Sequence, residues 1–287
     1  MELLNRFRVA VASVYAARTG DPELVPMALS QACVEVLPIA GAGISLTDEL
    51  RLPIGASDAV AARAERLQTT LGEGPCLSAA EAAEPLVADE DTIAARWPLF
   101  HREFVSQTPY RSAVSVPLLA RDGFTGLGAL DLYLTETEVA PDFVLSQLSS
   151  AIAAPISSVL FDYDGIRANP NALPFWLNSS SVTERMHVWI AVGILMEHGR
   201  VSNDDALAML RAHASAKNES IDDAAARLIA RELRPDSVLS PSRTLTASAR
   251  SQEIAEAPWL GAQWADLESV GSDHYDEPDV RAVPANQ

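Results

Sequence analysis

The sequence predicts an α+β domain, an antiparallel sheet flanked by helices, followed by an all-α three-helix domain and an acidic tail. Three observations carry this. Apolar residues at 113–119 and 127–134 flank Asp122-Gly123, which is the pattern of an antiparallel hairpin. The elements run helix, two strands, helices, strand, helix, hairpin, helix, without the strict strand–helix alternation of a parallel sheet. Over residues 183–231 the period becomes purely helical, in three segments.

The elements follow in order. Residues 5–18 read as a lead-in helix. Asp21-Pro22 marks a helix start, residues 24–37 form the body and Pro38 stops it. Residues 41–46 and 52–54 read as strands around a turn at Asp48-Glu49. Residues 57–71 are helical and end at Gly72; Gly72-Glu73-Gly74-Pro75-Cys76 leads into a short helix to about residue 83. Residues 86–88 form a short strand, and 97–105 read as one amphipathic helix with Trp97, Phe100 and Phe104 on a single face. In the hairpin, Leu130, Leu132 and Leu134 share one face. Pro141 opens a long helix to about residue 161.

Domain boundaries follow at 1–163, a linker at 164–182, the helical domain at 183–239 and the tail at 240–287. Beyond residue 240 there are three Arg against eight Asp or Glu, the composition of a disordered tail. Within it Trp259, Leu260, Trp264 and Leu267 are spaced like a helix face.

With 48% apolar and 21% charged residues the chain is of folded type, and its 287 residues accommodate one large or two ordinary domains. The absence of a long apolar run argues against a membrane span, and Glu2, Arg6 and Arg8 depart from a signal-peptide layout. Two cysteines make neither a disulfide framework nor a zinc cluster. A cytoplasmic location is expected. Net charge is −18 and Lys217 is the only lysine, so a nucleic-acid surface must be local and work against the overall field.

Catalytic motifs are missing. Gly41-Ala-Gly43 and Gly126-Leu-Gly128 lack the third glycine of a dinucleotide fingerprint and lie in strands. His187 and His198 stand three helical turns apart, about 16 Å, too far for one metal. No nucleophile, base and orienting group can be assembled, so no enzyme, cofactor or metal is expected. Cys76 follows a proline at a helix start, a position where a thiol pKa can fall; a small buried filler is the plainer reading.

Residues 22–160 resemble a GAF domain, a cytoplasmic sensory module. The most specific part is residues 71–77, Leu-Gly-Glu-Gly-Pro-Cys-Leu, which looks like the signature of GAF domains fused to ANTAR domains. The resemblance implies a pocket between sheet and helices for a small-molecule or protein signal, with Cys76, Trp97, Phe100 and Phe104 as candidate lining residues. Plain core packing is the alternative for these four.

In the helical domain, Ser202-x-x-Asp205 and Ser220-x-x-Asp223 place an N-cap serine three residues before a carboxylate. Ile221, Ala224, Ala225, Leu228 and Ile229 form an apolar stripe, as do Ala206, Met209, Leu210 and Ala214. Residues 191–196 (Ala-Val-Gly-Ile-Leu-Met), Ala206, Leu210-Arg211, Ala214, Asn218 and Ala224-Ala225 resemble the ANTAR domain. That resemblance implies binding of paired RNA hairpins by a homodimer and prevention of transcription termination. Candidate RNA contacts are Arg211, by the family match; Arg185 and Lys217, by charge; Asn218; and Gly193, for close backbone approach. Two positions depart from the family: Val192 where lysine is usual, and Leu207 where an aromatic is frequent. With seven basic against nine acidic residues over 183–239 and a first helix apolar nearly all round, the alternative is a protein-interaction or dimerisation module.

Overall fold

A computed structural model of the chain describes residues 2–17, 24–46, 51–140, 145–161 and 180–239. The readings of Asp21-Pro22, Asp48-Glu49, Pro141, most of the linker and the whole tail lie outside the described residues. The elements are α1 (Glu2–Ala16), α2 (Val25–Val36), β1 (Gly41–Leu46), β2 (Leu52–Ala56), α3 (Ala59–Leu71), α4 (Pro75–Ala82), β3 (Leu86–Ala88), α5 (Glu90–Arg96), α6 (Pro98–Gln107), β4 (Ser112–Leu119) and β5 (Gly126–Leu134). After them come α7 (Leu145–Leu148), a π-helical turn (Ser149–Ala153), α8 (Ala154–Leu160), α9 (Ser180–Gly199), α10 (Asn203–Lys217), α11 (Ile221–Ile229) and α12 (Pro235–Leu239).

The five strands form one antiparallel sheet in the order β2-β1-β5-β4-β3, so the predicted α+β class holds. The hairpin pairs β4 with β5, and Val114↔Leu132 and Val116↔Leu130 align across it. Period-two alternation then assigns the faces. Ala42, Ile44, Val114, Val116, Leu130, Leu132 and Leu134 lie in an apolar core with Leu29, Cys33, Ile152 and Ile156 of α2 and the α7–α8 helix. The opposite face is buried too, under α3 and α6, in a cluster with Ala61, Ala64, Phe100, Phe104, Tyr110 and Tyr133.

The helix expected over 97–105 is present as α6, and residues 90–96, where none was expected, form a further helix, α5; the two meet at Trp97 with φ −136° and ψ 69°. Pro98 explains the break, since it lacks an N–H and disfavours helical geometry at the residue before it. The helical region also gains a fourth short helix, α12, whose Val238 joins the same core. None of the helices among the described residues is long and apolar enough to cross a membrane.

The helical region does not stand apart from the sheet domain. Both belong to one compact unit, with α9 packing on β2 and α10 on α3.

Candidate functional site

The 72–76 segment assembles one side of the site, and each residue has a physical task. Gly72 closes α3 in the left-handed region at φ 72°, where its N–H reaches Gln68 O. Glu73 accepts the Phe100 amide at 2.8 Å, capping the start of α6. Gly74 has φ 146°, and a Cβ there would collide with the Gln68 side chain. Pro75 sits in the first turn of α4, and the Cys76 amide donates to Gln68 Oε1 at 3.2 Å.

Gln68 thereby enters a polar network buried on the second face of the sheet. Arg51 Nη2 donates to Glu65 Oε2 at 2.6 Å and to Asp131 Oδ2 at 3.0 Å. Gln68 Nε2 donates to Asp131 Oδ2 at 2.8 Å and to Tyr133 OH at 3.0 Å. Tyr133 donates to Glu65 Oε1 at 2.5 Å, Ser115 to Asp131 Oδ1 at 2.5 Å, and Ser45 to Glu65 Oε2. Register explains the convergence: Gly43, Asp131 and Ser115 are aligned across β1, β5 and β4. Glu65 fits over the sheet because residue 43 has no Cβ, which would collide with its carboxylate.

Electrostatics in this network are dominated by burial. Burial pushes the Glu65 carboxyl up to about 7, with Arg51 pulling it down and Asp131 pushing it further up. Burial likewise raises the Cys76 thiol well above its usual range. Cys76 is fully buried, in keeping with the plainer reading of a small buried filler rather than a thiol lowered at the start of α4.

Trp97, Phe100 and Phe104 pack in one buried cluster, in keeping with the core-packing alternative. Phe100 and Phe104 are 0% exposed and stack at 4.8 Å; Phe104 lies 5.8 Å from Tyr133, whose ring stacks on Tyr110 at 5.0 Å. Side chains fill the space between sheet and α6. Trp97 is buried beneath Arg96, whose guanidinium lies 4.5 Å from its ring. Sequence reasoning did not find Ser45, Arg51, Glu65, Gln68, Ser115, Asp131 and Tyr133. The available signal was an aspartate in the middle of an otherwise apolar strand.

In the helical region, Val192 and Leu207 lie in its core with Val188, Leu195, Leu210 and Ala225. The two departures are packing residues. Ser202 and Ser220 cap α10 and α11, accepting the amides of Asp205 and Asp223. The expected RNA contacts do not converge on one exposed patch. Lys217 and Asn218 are exposed at the C-terminal end of α10, where Asn218 takes a left-handed cap at φ 56°. Gly193 is exposed on α9 with open space around it.

Arg185 is 3% exposed and pairs with Asp222 at 3.1 Å. Arg211 is half-buried, with its guanidinium where a Cβ on Gly72 would meet it at 3.0 Å. Both arginines face the seam with the sheet domain, which the Ile221 amide crosses to Thr70 Oγ1 at 3.4 Å. In this arrangement Arg185 is buried and paired with Asp222, and Arg211 is only half-exposed beside Gly72.

Residues 179–229 match the ANTAR domain family. A domain from a protein described as a two-component sensor histidine kinase of Sinorhizobium meliloti 1021 is similar in structure, at 18% identity and TM-score 0.41, covering 52% of this chain and 97% of that one. The GAF domain of a phosphoenolpyruvate-protein phosphotransferase from Coxiella burnetii is similar at 15% identity and TM-score 0.40, covering 59% and 99%. No curated protein matches the sequence. The chain thus has an antiparallel α+β region followed by a helical region, within which residues 179–229 match the ANTAR domain family.

Proposed function

We propose that this chain is a cytoplasmic, signal-responsive regulator whose ANTAR domain binds RNA hairpins and promotes transcription antitermination. The observation that carries the reading is the ANTAR match over residues 179–229. Lys217, Asn218 and Gly193 are exposed on that domain. Arg185 and Arg211 become available to RNA once the domain separates from the sheet domain, so the described arrangement is the resting one. A signal at the GAF-like domain shifts the balance toward separation, and two released units in a homodimer engage tandem hairpins.

A mobility-shift assay of the full chain with a tandem-hairpin RNA, across a salt series, tests this. Binding should weaken as salt rises, and Arg211→Ala and Lys217→Ala should each reduce the salt slope by about 1. No shift at low salt, combined with indifference to Arg211→Ala, rules the reading out.

One observation favours the second reading, a protein-interaction or dimerisation module. Met186 is 52% exposed, Ile190 50% and Met196 36%, all on α9. For that reading, Ile190→Glu dissociates an oligomer in sedimentation while RNA has no effect.

A further inference from the structure

The face of the sheet where a signal pocket was expected is filled by Phe100, Phe104, Tyr110 and Tyr133. A cavity lies elsewhere in the same domain, where the end of β4 and the turn after it meet the π-helical turn and α8. Its volume is about 400 Å³, within the range of small-molecule sites.

Three departures from regular structure leave that space. β3 pairs with β4 only from Ala113 to Ser115, so the strand beyond, with Pro117 and Leu119, has no neighbouring strand on that side among the described residues. α4 ends at Ala83 with φ 53°, a left-handed conformation uncommon for alanine, and Pro85 follows. On the other side, Pro155 supplies no N–H and its ring crowds the carbonyl four residues back. The helix widens there into the π turn, whose closing Ala154 amide reaches back to Ser149 O.

The lining is apolar at Pro85, Pro117, Leu119, Ala153 and Ala154. Among the described residues it holds one cation, Arg121, and no acid. Ser157, 6% exposed, lines it too, and its Oγ has no hydrogen-bond partner. Arg121, Ala154 and Ser158 are exposed, so the cavity is open to solutes. Apolar lining favours an apolar body, and a guanidinium without a neighbouring acid favours a negative head over a neutral or positive one. Arg121 also interacts elsewhere, and a guanidinium has donors enough for more than one partner.

We propose that this cavity binds a small carboxylate with an apolar body, aromatic or short-chain aliphatic, the carboxylate resting on Arg121. The site stands without the RNA reading. Where that reading holds, this is where the signal enters, beside α8, the last described element before α9.

Titration calorimetry on the full chain tests the site with benzoate and hexanoate as probes, each beside its own alcohol and its own amine at matched ionic strength. Saturable binding of at least one carboxylate is expected, about tenfold or more tighter than its alcohol or amine, and the arm that binds tells aromatic from aliphatic. Ala154→Leu, which puts bulk into the cavity from an exposed helix position, should weaken binding about tenfold or more. Arg121→Gln should reduce the carboxylate to the level of its alcohol. Arg102→Gln, outside the cavity lining, should change nothing. If Ala154→Leu does not fold by circular dichroism, Ser158→Leu takes its place. No saturable carboxylate binding, binding no tighter than that of the alcohol, or affinity unchanged in either cavity variant overturns the proposal. The RNA reading is tested separately by mobility shift, so the two can fail independently.

Discussion

Among the described residues two arginines are almost wholly buried, and they meet different charge environments. Arg51, 2% exposed, lies among Glu65, Asp131 and the hydroxyls that converge on them. Burial works against its charge, yet the acidic groups around it outweigh burial and raise its pKa. Arg185, 3% exposed, has one carboxylate and three arginines nearby, and its pKa falls. The first site is neutralised by its own fold. The second is left with charge to spare at a seam between domains. Equal burial therefore means different things: a charge held between two carboxylates in one case, a charge facing one carboxylate among other arginines in the other, although each guanidinium leaves Nε and Nη1 without a hydrogen-bond partner.

The largest test of this contrast is to remove each arginine in turn. Arg51→Met leaves Glu65 and Asp131 as adjacent buried carboxylates and should cost about 3–5 kcal/mol in urea unfolding. Arg185→Met leaves only Asp222 unpaired and relieves repulsion, so a loss of about 1–2 kcal/mol is expected. Equal losses would erase the distinction.

Gly72→Ala comes next. A side chain at φ 72° costs about 1 kcal/mol, and the added methyl presses on the Arg211 guanidinium. Faster hydrogen exchange at the Ile221 amide, which bonds Thr70 across the seam, should report loosened docking.

The Glu65 network sets a pH signature. Its folded pKa, about 7, lies above the ordinary value of 4.5, so the folded state holds the proton more tightly than the unfolded one. The stability this provides is complete below about pH 4.5 and declines as pH rises to about 7. Glu65→Gln should flatten that decline in denaturant midpoints measured against pH. The smallest effect is expected at Gly193, exposed within α9: alanine there should stabilise the helix by about 0.5–1 kcal/mol. If Gly193 is where RNA approaches, the same change weakens RNA binding despite the gain in stability.

Much of the architecture was legible along the chain. The hairpin, the Leu130-Leu132-Leu134 face, the capping serines and the apolar stripes of α10 and α11 depend on neighbours within a few residues, and periodicity reports them. The break at Trp97 was local too, and Pro98 was its signal. The polar network was not legible, because Arg51, Glu65 and Asp131 are far apart in sequence and meet only through strand register and the placement of α3. The same holds for Arg185 and Arg211. As isolated cations they read as phosphate contacts; packed, they turn inward against α11 and Gly72.

The sequence by itself determined the order of most elements, the change from a sheet region to a helical region, and the family resemblance of the latter, since these reside in local pattern and spacing. Tertiary structure alone decided which charges are neutralised. That depends on distances between groups that chain order does not encode, and it separates Arg51, set between two carboxylates, from Arg185, which has one.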